Sequence, residues 1–222
     1  LDDYARGVVA FNYGDYPLAV EALTAYASNR DLTEVPTQLY LLLGRAYREI
    51  GNTQAALTAF QTIVEQYPTD ERFGDALLEQ GRTLFQGGDT LAAIDAYLRV
   101  ANTYDYLTQT PEALYRAGFL YASLDRPTEA RGVFERLADS YPNTAQAVDG
   151  LMLAASEALK AGDTAAAERY FSEVAAKAVG EDRAQALLQV GQRARQAQDG
   201  HDFRGRHDVE AALARHAIGR PA

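Results

Sequence analysis

Histidine and aspartate residues near the C-terminus are the side chains in this sequence whose types best suit metal binding or proton transfer. His201, His207 and His216 lie there together with Asp202 and Asp208. Their spacing does not place them on one face of a helix, where they would have to converge to share a metal ion. The chain has no cysteine, which excludes thiolate metal ligands and cysteine nucleophiles. We therefore predict that the protein binds no metal.

Other motifs that can carry catalysis are absent from the sequence or have a structural explanation. There is no glycine-rich phosphate loop followed by lysine, and no serine lies in a nucleophile elbow. Gly87-Gly88-Asp89 is typical of a turn between two helices. The carboxylate pairs Asp70-Glu71 and Glu181-Asp182 fall at predicted helix starts, where negative charge stabilises the helix dipole. We predict that the protein is not an enzyme and needs no cofactor.

The chain repeats one pattern with a period of 37 residues. Gly44 recurs as Gly81 and Gly118 and, in the other direction, as Gly7, while Ala155 takes the next equivalent position. A fixed period that keeps small and aromatic residues in register is typical of a stacked-repeat protein. A turn and an aromatic position follow the same period: Gly14-Asp15, Gly51-Asn52, Gly88-Asp89, Asp125-Arg126 and Gly162-Asp163 for the turn, and Phe60, Tyr97, Phe134 and Phe171 for the aromatic residue.

Each repeat is predicted to be a pair of helices. In the second repeat, the apolar residues from Leu39 to Ile50 recur at three- and four-residue steps, which indicates one apolar stripe on a helix. Gly51-Asn52 ends this helix and caps the next one, which Pro68 stops. A glycine inside a helix costs about 1 kcal/mol relative to alanine. The recurrence of Gly44 therefore indicates a steric need for a close approach of the two helices.

These residues resemble the pattern of the tetratricopeptide repeat, whose usual length is about 34 residues. The longer repeats of this chain, which end in Tyr-Pro, resemble those of bacterial envelope proteins of this family, of the Tol-Pal-associated coordinator and outer-membrane assembly lipoprotein type. The resemblance implies an all-α fold, a right-handed superhelical solenoid of stacked helix-turn-helix repeats. In the second repeat it is carried by Tyr40, Leu43, Gly44, Tyr47, Gly51, Ala56, Phe60 and Pro68.

Five clear repeats and a degenerate sixth account for most of the chain. We predict a repeat array over residues 1–197, with repeats near 1–36, 37–69, 70–109, 110–143 and 144–180 and the sixth from 181. A repeat array needs an atypical end element that covers its last apolar face. We therefore predict that residues 198–222 form an irregular C-terminal cap with a short helix.

The resemblance also implies a binding groove. In tetratricopeptide arrays, the outward side of the first helix of each repeat lines a concave groove that binds peptides. Arg45 and Arg82 occupy equivalent positions there, and their guanidinium groups suit bidentate contacts with carboxylates. We expect both to face solvent, so that reversing them to glutamate would abolish binding without loss of stability. The predicted groove residues are Tyr4, Phe11, Leu41, Arg45, Arg48, Leu78, Arg82, Phe85, Tyr115 and Phe119.

Two alternatives to this assignment stay open at the level of sequence. The aromatic side chains of the predicted groove either bind a partner or only pack neighbouring repeats together. The junction at Tyr104–Gln109, which lacks the Tyr-Pro of the other junctions, is either a variant loop or a partner contact through Tyr104 and Tyr106.

Composition narrows the class of partner. The formal net charge is −10, and Lys160 and Lys177 are the only lysines, which argues against a nucleic-acid binder with a broad basic face. No apolar run is long enough to span a bilayer, so we predict no direct membrane insertion. The sequence predicts no particular oligomeric state.

The function expected from these observations is that of a non-enzymatic scaffold. Its concave groove would bind a peptide or protein segment with acidic and apolar side chains, in the assembly of the bacterial cell envelope. The periplasm is favoured over the cytoplasm. The alternative is a non-catalytic superhelical arm of a larger enzyme, for example one that cleaves the cell wall, whose catalytic domain lies outside this chain.

Overall fold

The computed structural model describes residues 2–177 and, beyond them, positions 180, 186, 188–190 and 192. The predicted C-terminal cap at residues 198–222, with its three histidines, lies outside the described residues. Most of the predicted sixth repeat lies outside them as well.

Residues 2–177 form ten α-helices and one short 3-10 helix at Leu32–Glu34. This part of the chain contains no β-strand, so the predicted all-α fold is confirmed. The helices are α1 (Asp3–Asn12), α2 (Tyr16–Ser28), α3 (Thr37–Glu49), α4 (Thr53–Gln66), α5 (Phe73–Gln86), α6 (Thr90–Thr103), α7 (Thr110–Ser123), α8 (Pro127–Ser140), α9 (Ala145–Lys160) and α10 (Thr164–Lys177). None of the described helices is both long and apolar enough to cross a membrane.

The chain divides into two compact units, residues 1–137 and residues 138–222. In the first unit, α1, α3 and α5 each pack against the helix that follows, and α2, α4 and α6 each pack against the first helix of the next repeat. Direct contacts also join α1 to α3 and α3 to α5. The first helices of these repeats therefore form one layer of the unit. In the second unit, α9 packs against α10.

The turn between the two helices of a repeat has the same chemistry in most repeats. In the second repeat, Gly51 has a φ of +79°, a left-handed conformation that glycine adopts without a steric penalty. The next residue, Asn52, accepts a hydrogen bond from the backbone N–H of Ala55 at 3.1 Å and so caps α4. The pairs Gly14-Asp15, Gly88-Asp89 and Gly162-Asp163 repeat both features.

The recurring helix glycine provides space for an aromatic ring. A Cβ atom at Gly44 would lie 2.5 Å from the Phe60 ring, which is fully buried. A Cβ atom added at Gly81 would lie 2.5 Å from the Tyr97 ring, and one added at Gly118 would lie 2.5 Å from the Phe134 ring. The steric need predicted from the period is thus confirmed, and its cause is the aromatic side chain of the second helix.

Hydrogen bonds at the junction hold the second repeat to the third. The Thr37 hydroxyl donates to a carboxylate oxygen of Asp70 at 2.8 Å, and the backbone N–H of Arg72 donates to the other oxygen at 2.8 Å. Burial by itself would raise the pKa of Asp70. The hydrogen bonds from Arg72 and Thr37, together with the charge of Arg72, outweigh burial and lower this pKa below its ordinary value.

Candidate binding surface

The predicted groove residues all lie on the first helices of the repeats in the first compact unit. Because α1 contacts α3 and α3 contacts α5, their outward sides are neighbours. We call the outward side of α1, α3, α5 and α7 the odd-helix surface. The predicted residues are distributed as Tyr4 and Phe11 on α1, Leu41, Arg45 and Arg48 on α3, Leu78, Arg82 and Phe85 on α5, and Tyr115 and Phe119 on α7.

The three predicted arginines converge on one buried carboxylate, Glu79 of α5. Arg45 Nε lies 2.9 Å from Glu79 Oε1, and Arg82 Nη1 lies 3.0 Å from the same oxygen. Arg48 Nη1 donates to the other oxygen, Oε2. The Glu79 side chain is only 3% exposed, so water cannot replace these partners. Glu79 therefore joins α3 to α5 through charge-assisted hydrogen bonds.

The expectation that the arginines face solvent is corrected by this cluster. The side chain of Arg48 is 10% exposed, and those of Arg45 and Arg82 are 32% and 37% exposed. A buried carboxylate needs partners for its charge, and these side chains supply them. Reversing Arg45 and Arg82 to glutamate would place carboxylates beside Glu79, so we now expect this change to lower stability.

Repeat register was the signal that could have revealed Glu79. Position 79 is equivalent to Leu42, 37 residues earlier, and Leu42 is a buried core residue. An acidic residue in a core position of the repeat predicts a buried ion pair. Arg116 occupies the next equivalent position, so the same core position is charged in two consecutive repeats.

The apolar residues of the prediction differ in exposure. Leu41 is 3% exposed and belongs to the hydrophobic core around Phe60, so it cannot line a groove. The prediction that Leu41 lines the groove is therefore corrected. The face of α3 that packs against neighbouring helices is wider than the sequence pattern suggested. Phe85 and Phe119 are 45% and 49% exposed. Leu78, partly buried, packs against the core of the third repeat.

The aromatic residues of α1 pack against the second helix of their own repeat. The ring centroids of Tyr4 and Tyr26 are 5.4 Å apart, and those of Phe11 and Tyr16 are 5.6 Å apart in an edge-to-face arrangement. Both α1 residues are partly buried. At this end of the odd-helix surface, the aromatic side chains therefore contribute to packing within the repeat.

Phe85, Tyr115 and Phe119 lie together around an open pocket of about 200 Å³. The pocket lies between α5, α6 and α7, and its other lining residues are Tyr97, Arg116 and Leu120. Three residues predicted separately from the sequence are thus brought to one concave site. Pockets of this kind, with apolar walls and a few polar groups, are common binding sites for side chains and small molecules.

The arginine cluster, taken by itself, carries a small net positive charge. The guanidinium groups of Arg45, Arg48 and Arg82 face the carboxylates of Glu79 and Glu49, and Arg48 Nη2 lies 3.3 Å from Glu49 Oε1. Three positive charges and two negative charges leave an excess of one positive charge. The whole chain carries −10, so this cluster differs in sign from the average surface.

Two other features of the described residues have the shape or exposure of a site. A cavity of about 380 Å³ between α4, α5 and α6 is lined largely by polar side chains, of which Gln80 donates to Gln61 at 2.7 Å. In the Tyr104–Gln109 junction, Tyr106 is 75% exposed, while Gln109 donates to Asp75 at 3.0 Å. A partner contact through this junction stays a prediction. The described residues contain no cluster of side chains that could hold a metal ion.

Family models decide which family the chain belongs to. One model described as tetratricopeptide repeat matches residues 4–71 and 41–107, and a second model with the same description matches residues 112–144. Together these matches cover more than half of the 222 residues. The chain belongs to the tetratricopeptide repeat family. The family that the residue pattern of the repeats resembles is therefore confirmed.

Individual relatives agree with this family. Outer membrane protein assembly factor BamD of Caulobacter vibrioides is 30% identical over 52% of this chain, which spans 45% of that protein's length. The crystal structure of MamA has a TM-score of 0.58 at 21% identity and covers 79% of this chain and 89% of its own. A tetratricopeptide repeat protein from Parabacteroides merdae has a TM-score of 0.58 at 21% identity, covering 89% and 75%. These two structures show similarity of fold.

Proposed function

We propose that this tetratricopeptide repeat protein is a non-enzymatic interaction scaffold whose odd-helix surface binds a segment of a protein partner. The observation that carries the proposal is the arginine cluster around Glu79 beside the exposed rings of Phe85 and Phe119. Exposed aromatic side chains are enriched in protein interfaces. Arginine with part of its fork accessible binds carboxylates in a defined geometry.

The partner segment that suits this surface carries both acidic and apolar side chains. Acidic groups would contact the accessible parts of Arg45 and Arg82, while apolar groups would rest on Phe85 and Phe119. An acidic segment is repelled by the rest of a chain with a net charge of −10. The net positive charge of the arginine cluster therefore favours binding of an acidic segment at this site over other parts of the surface.

The cell envelope of bacteria is the proposed location. The similarity to an outer membrane protein assembly factor supports a role in assembling that compartment. Fractionation of bacteria that produce the full-length protein at its natural level tests this assignment. We expect the protein in the envelope fraction, and recovery with cytoplasmic markers would contradict the proposal.

Binding is tested with a panel of fluorescent synthetic peptides that combine acidic and apolar residues, measured by fluorescence anisotropy. Matched peptides carry lysine in place of every acidic residue. The double variant Arg45→Gln, Arg82→Gln keeps the Arg48 to Glu79 contact and adds no carboxylate, so it is gentler than charge reversal. We expect this variant to bind acidic peptides at least about a hundredfold more weakly than the native protein, since it loses two charge-assisted contacts that contribute about 1.5–3 kcal/mol each.

Arg99→Gln is the matched control. Arg99 is an exposed residue of α6 that lines the other cavity, so its loss changes net charge without touching the odd-helix surface. Circular dichroism establishes that each variant is folded at the temperature of the measurement. Equal binding of the lysine-containing peptides, or unchanged binding by the double variant, would refute the proposed recognition surface.

A further inference from the structure

Tyr97 carries a hydroxyl group that its place in the fold does not need. The equivalent residues of the second, fourth and fifth repeats are Phe60, Phe134 and Phe171. The rings of Phe60 and Phe134 fill the space beside their glycines as the Tyr97 ring does beside Gly81. In all three repeats, a Cβ atom added at the glycine would lie 2.5 Å from the ring. Packing alone is therefore satisfied by phenylalanine, and the Tyr97 hydroxyl is an additional polar group.

Tyr97, which bears this hydroxyl, lines the 200 Å³ pocket. Within the described residues, the hydroxyl has no hydrogen-bond partner. Burial raises the pKa of Tyr97 above its ordinary value, the charges of Arg116 and Arg82 oppose this shift, and those of Glu79 and Glu112 add to it. The hydroxyl therefore stays protonated at neutral pH and can donate a hydrogen bond to a group in the pocket.

Arg116, which also lines the pocket, has a second donor without a partner. Its Nη2 atom lies 2.6 Å from Glu112 Oε1, so its charge is already balanced. Its Nε atom is buried and has no hydrogen-bond partner among the described residues. The side chain is 35% exposed, so the guanidinium group can turn towards an acceptor in the pocket. An unpaired buried donor is costly, and a ligand that pairs it gains affinity.

The other lining residues of the pocket are aromatic or aliphatic. Phe85, Tyr115, Phe119 and Leu120 surround a space that suits one large side chain. Aromatic rings pack well against such walls in edge-to-face or offset geometry. A carboxylate is disfavoured here, because Glu112 already pairs with Arg116 and apolar walls penalise a second negative charge.

We propose that this pocket binds a tyrosine side chain of the partner segment, with the ring beside Phe85 and Phe119 and the hydroxyl oxygen accepting from Tyr97 and Arg116. The inference rests on the proposed function in one respect, that the tyrosine belongs to a bound protein segment. Phenylalanine fits the same walls but leaves the two donors unpaired. A site built to pair a ligand hydroxyl discriminates strongly against the analogue that lacks it.

N-acetyl-tyrosinamide and N-acetyl-phenylalaninamide are the probes that test this pocket. Their affinities are measured by NMR titration of the full chain, with the methyl groups of Leu120 as reporters. We expect the native protein to bind the tyrosine probe about tenfold more tightly than the phenylalanine probe. Tyr97→Phe restores the residue of the equivalent repeats and should fold normally. We expect it to reduce the preference to about threefold or less, without weakening the phenylalanine probe.

Tyr13→Phe is the control for loss of a hydroxyl elsewhere, since Tyr13 is 87% exposed at the end of α1; it should leave both affinities unchanged. Phe119→Ala should weaken both probes. Equal affinities of the two probes for the native protein, absence of binding, or a preference that stays about tenfold in Tyr97→Phe would overturn the inference. These probes contain no acidic group, so their failure leaves the peptide test of Arg45 and Arg82 unaffected. If the native protein bound the tyrosine probe but did not bind acidic peptides, the proposed function would fail and the pocket inference would stand.

Discussion

At the scale of single residues, glycines and charged side chains determine how the helices behind the odd-helix surface pack. Gly44, Gly81 and Gly118 make room for the rings that fill the repeats. Glu79 holds three arginines whose types suggest ligand binding. The positions of these arginines therefore reflect a structural need as well as the proposed recognition, and an experiment on them has to separate the two.

A first prediction concerns the glycine in the second repeat. Gly44→Ala places a methyl group 2.5 Å from the Phe60 ring. Overpacking of this kind costs about 1–3 kcal/mol, which outweighs the better helix propensity of alanine. We expect a lower free energy of unfolding, measured by urea denaturation. The ring of Phe60 has to shift for the methyl group to fit.

Gly132→Ala is the matched control, because Gly132 lies in α8 and a Cβ atom added there would have no neighbouring atom within 4 Å. The free energy of unfolding should therefore rise by about 0.5–1 kcal/mol. If Gly44→Ala and Gly132→Ala changed the free energy of unfolding in the same direction, the steric explanation for the 37-residue glycine period would be wrong. Ala155, at the equivalent position of the fifth repeat, is itself buried.

At the scale of helices and turns, the fourth repeat departs from the others. Asp125 occupies the turn position that is glycine in the other repeats, and it adopts a φ of +55°. Left-handed backbone is unfavourable for residues with a Cβ atom. Arg126 follows where the other repeats have an aspartate or asparagine cap, and it pairs with Glu129 at 2.6 Å instead. The turn between α7 and α8 is therefore less favourable than its equivalents.

A second prediction follows from this turn. Asp125→Gly should raise the free energy of unfolding by up to about 1 kcal/mol, because it removes the penalty of left-handed backbone. Chemical denaturation measures the change. Asp125→Ala is the control: it removes the same charge but keeps a Cβ atom, so it should not stabilise the protein. Stabilisation by alanine as well as glycine would indicate that charge, and not backbone conformation, is responsible.

A third prediction concerns the junction between the second and third repeats. The pKa of Asp70 is lowered in the folded protein, so its ionised form contributes stability above the ordinary pKa of about 3.9. That contribution is lost as the pH falls through the folded-state value. Asp70→Asn should lower the melting temperature at pH 7, and its difference from the native protein should shrink below about pH 4.

Thr37→Val removes one hydrogen bond to Asp70 and keeps the carboxylate, so it should reduce the same pH dependence in part. Melting temperatures at a series of pH values, measured by calorimetry, provide the comparison. A difference between native protein and Asp70→Asn that stays constant from about pH 7 to about pH 3 would show that folding does not lower the pKa of Asp70. The hydrogen bonds at the junction would then act without the charge.

At the scale of the whole molecule, a repeat protein is stabilised by interactions within each repeat and between neighbours. In the first compact unit, each described contact of this kind joins helices that are close in sequence order. Function can then arise wherever one repeat departs from the common pattern. Tyr97, Glu79 and Arg116 are such departures, and all three lie in or beside the layer that carries the proposed binding surface.

The sequence by itself determined the helices, the turns and the family. These features depend on local patterns: helical spacing of apolar residues, a glycine with a left-handed turn followed by a capping side chain, and a period of 37 residues. Such patterns can be recognised in the sequence because each depends on residue types at fixed spacings along the chain. Of the predicted surface, Phe85, Tyr115 and Phe119 were selected in this way, since first-helix positions repeat with the same period.

Only the tertiary structure decided which of these side chains are accessible. Arg45 and Glu79 are 34 residues apart in the chain, and their contact depends on how α3 stacks against α5. The pocket beside Tyr97 likewise needs side chains from three helices. Leu41 is buried because the neighbouring helices cover a wider face of α3 than one apolar stripe predicts. Packing between repeats sets the exposure and pairing of polar groups, and periodicity along one helix does not specify it.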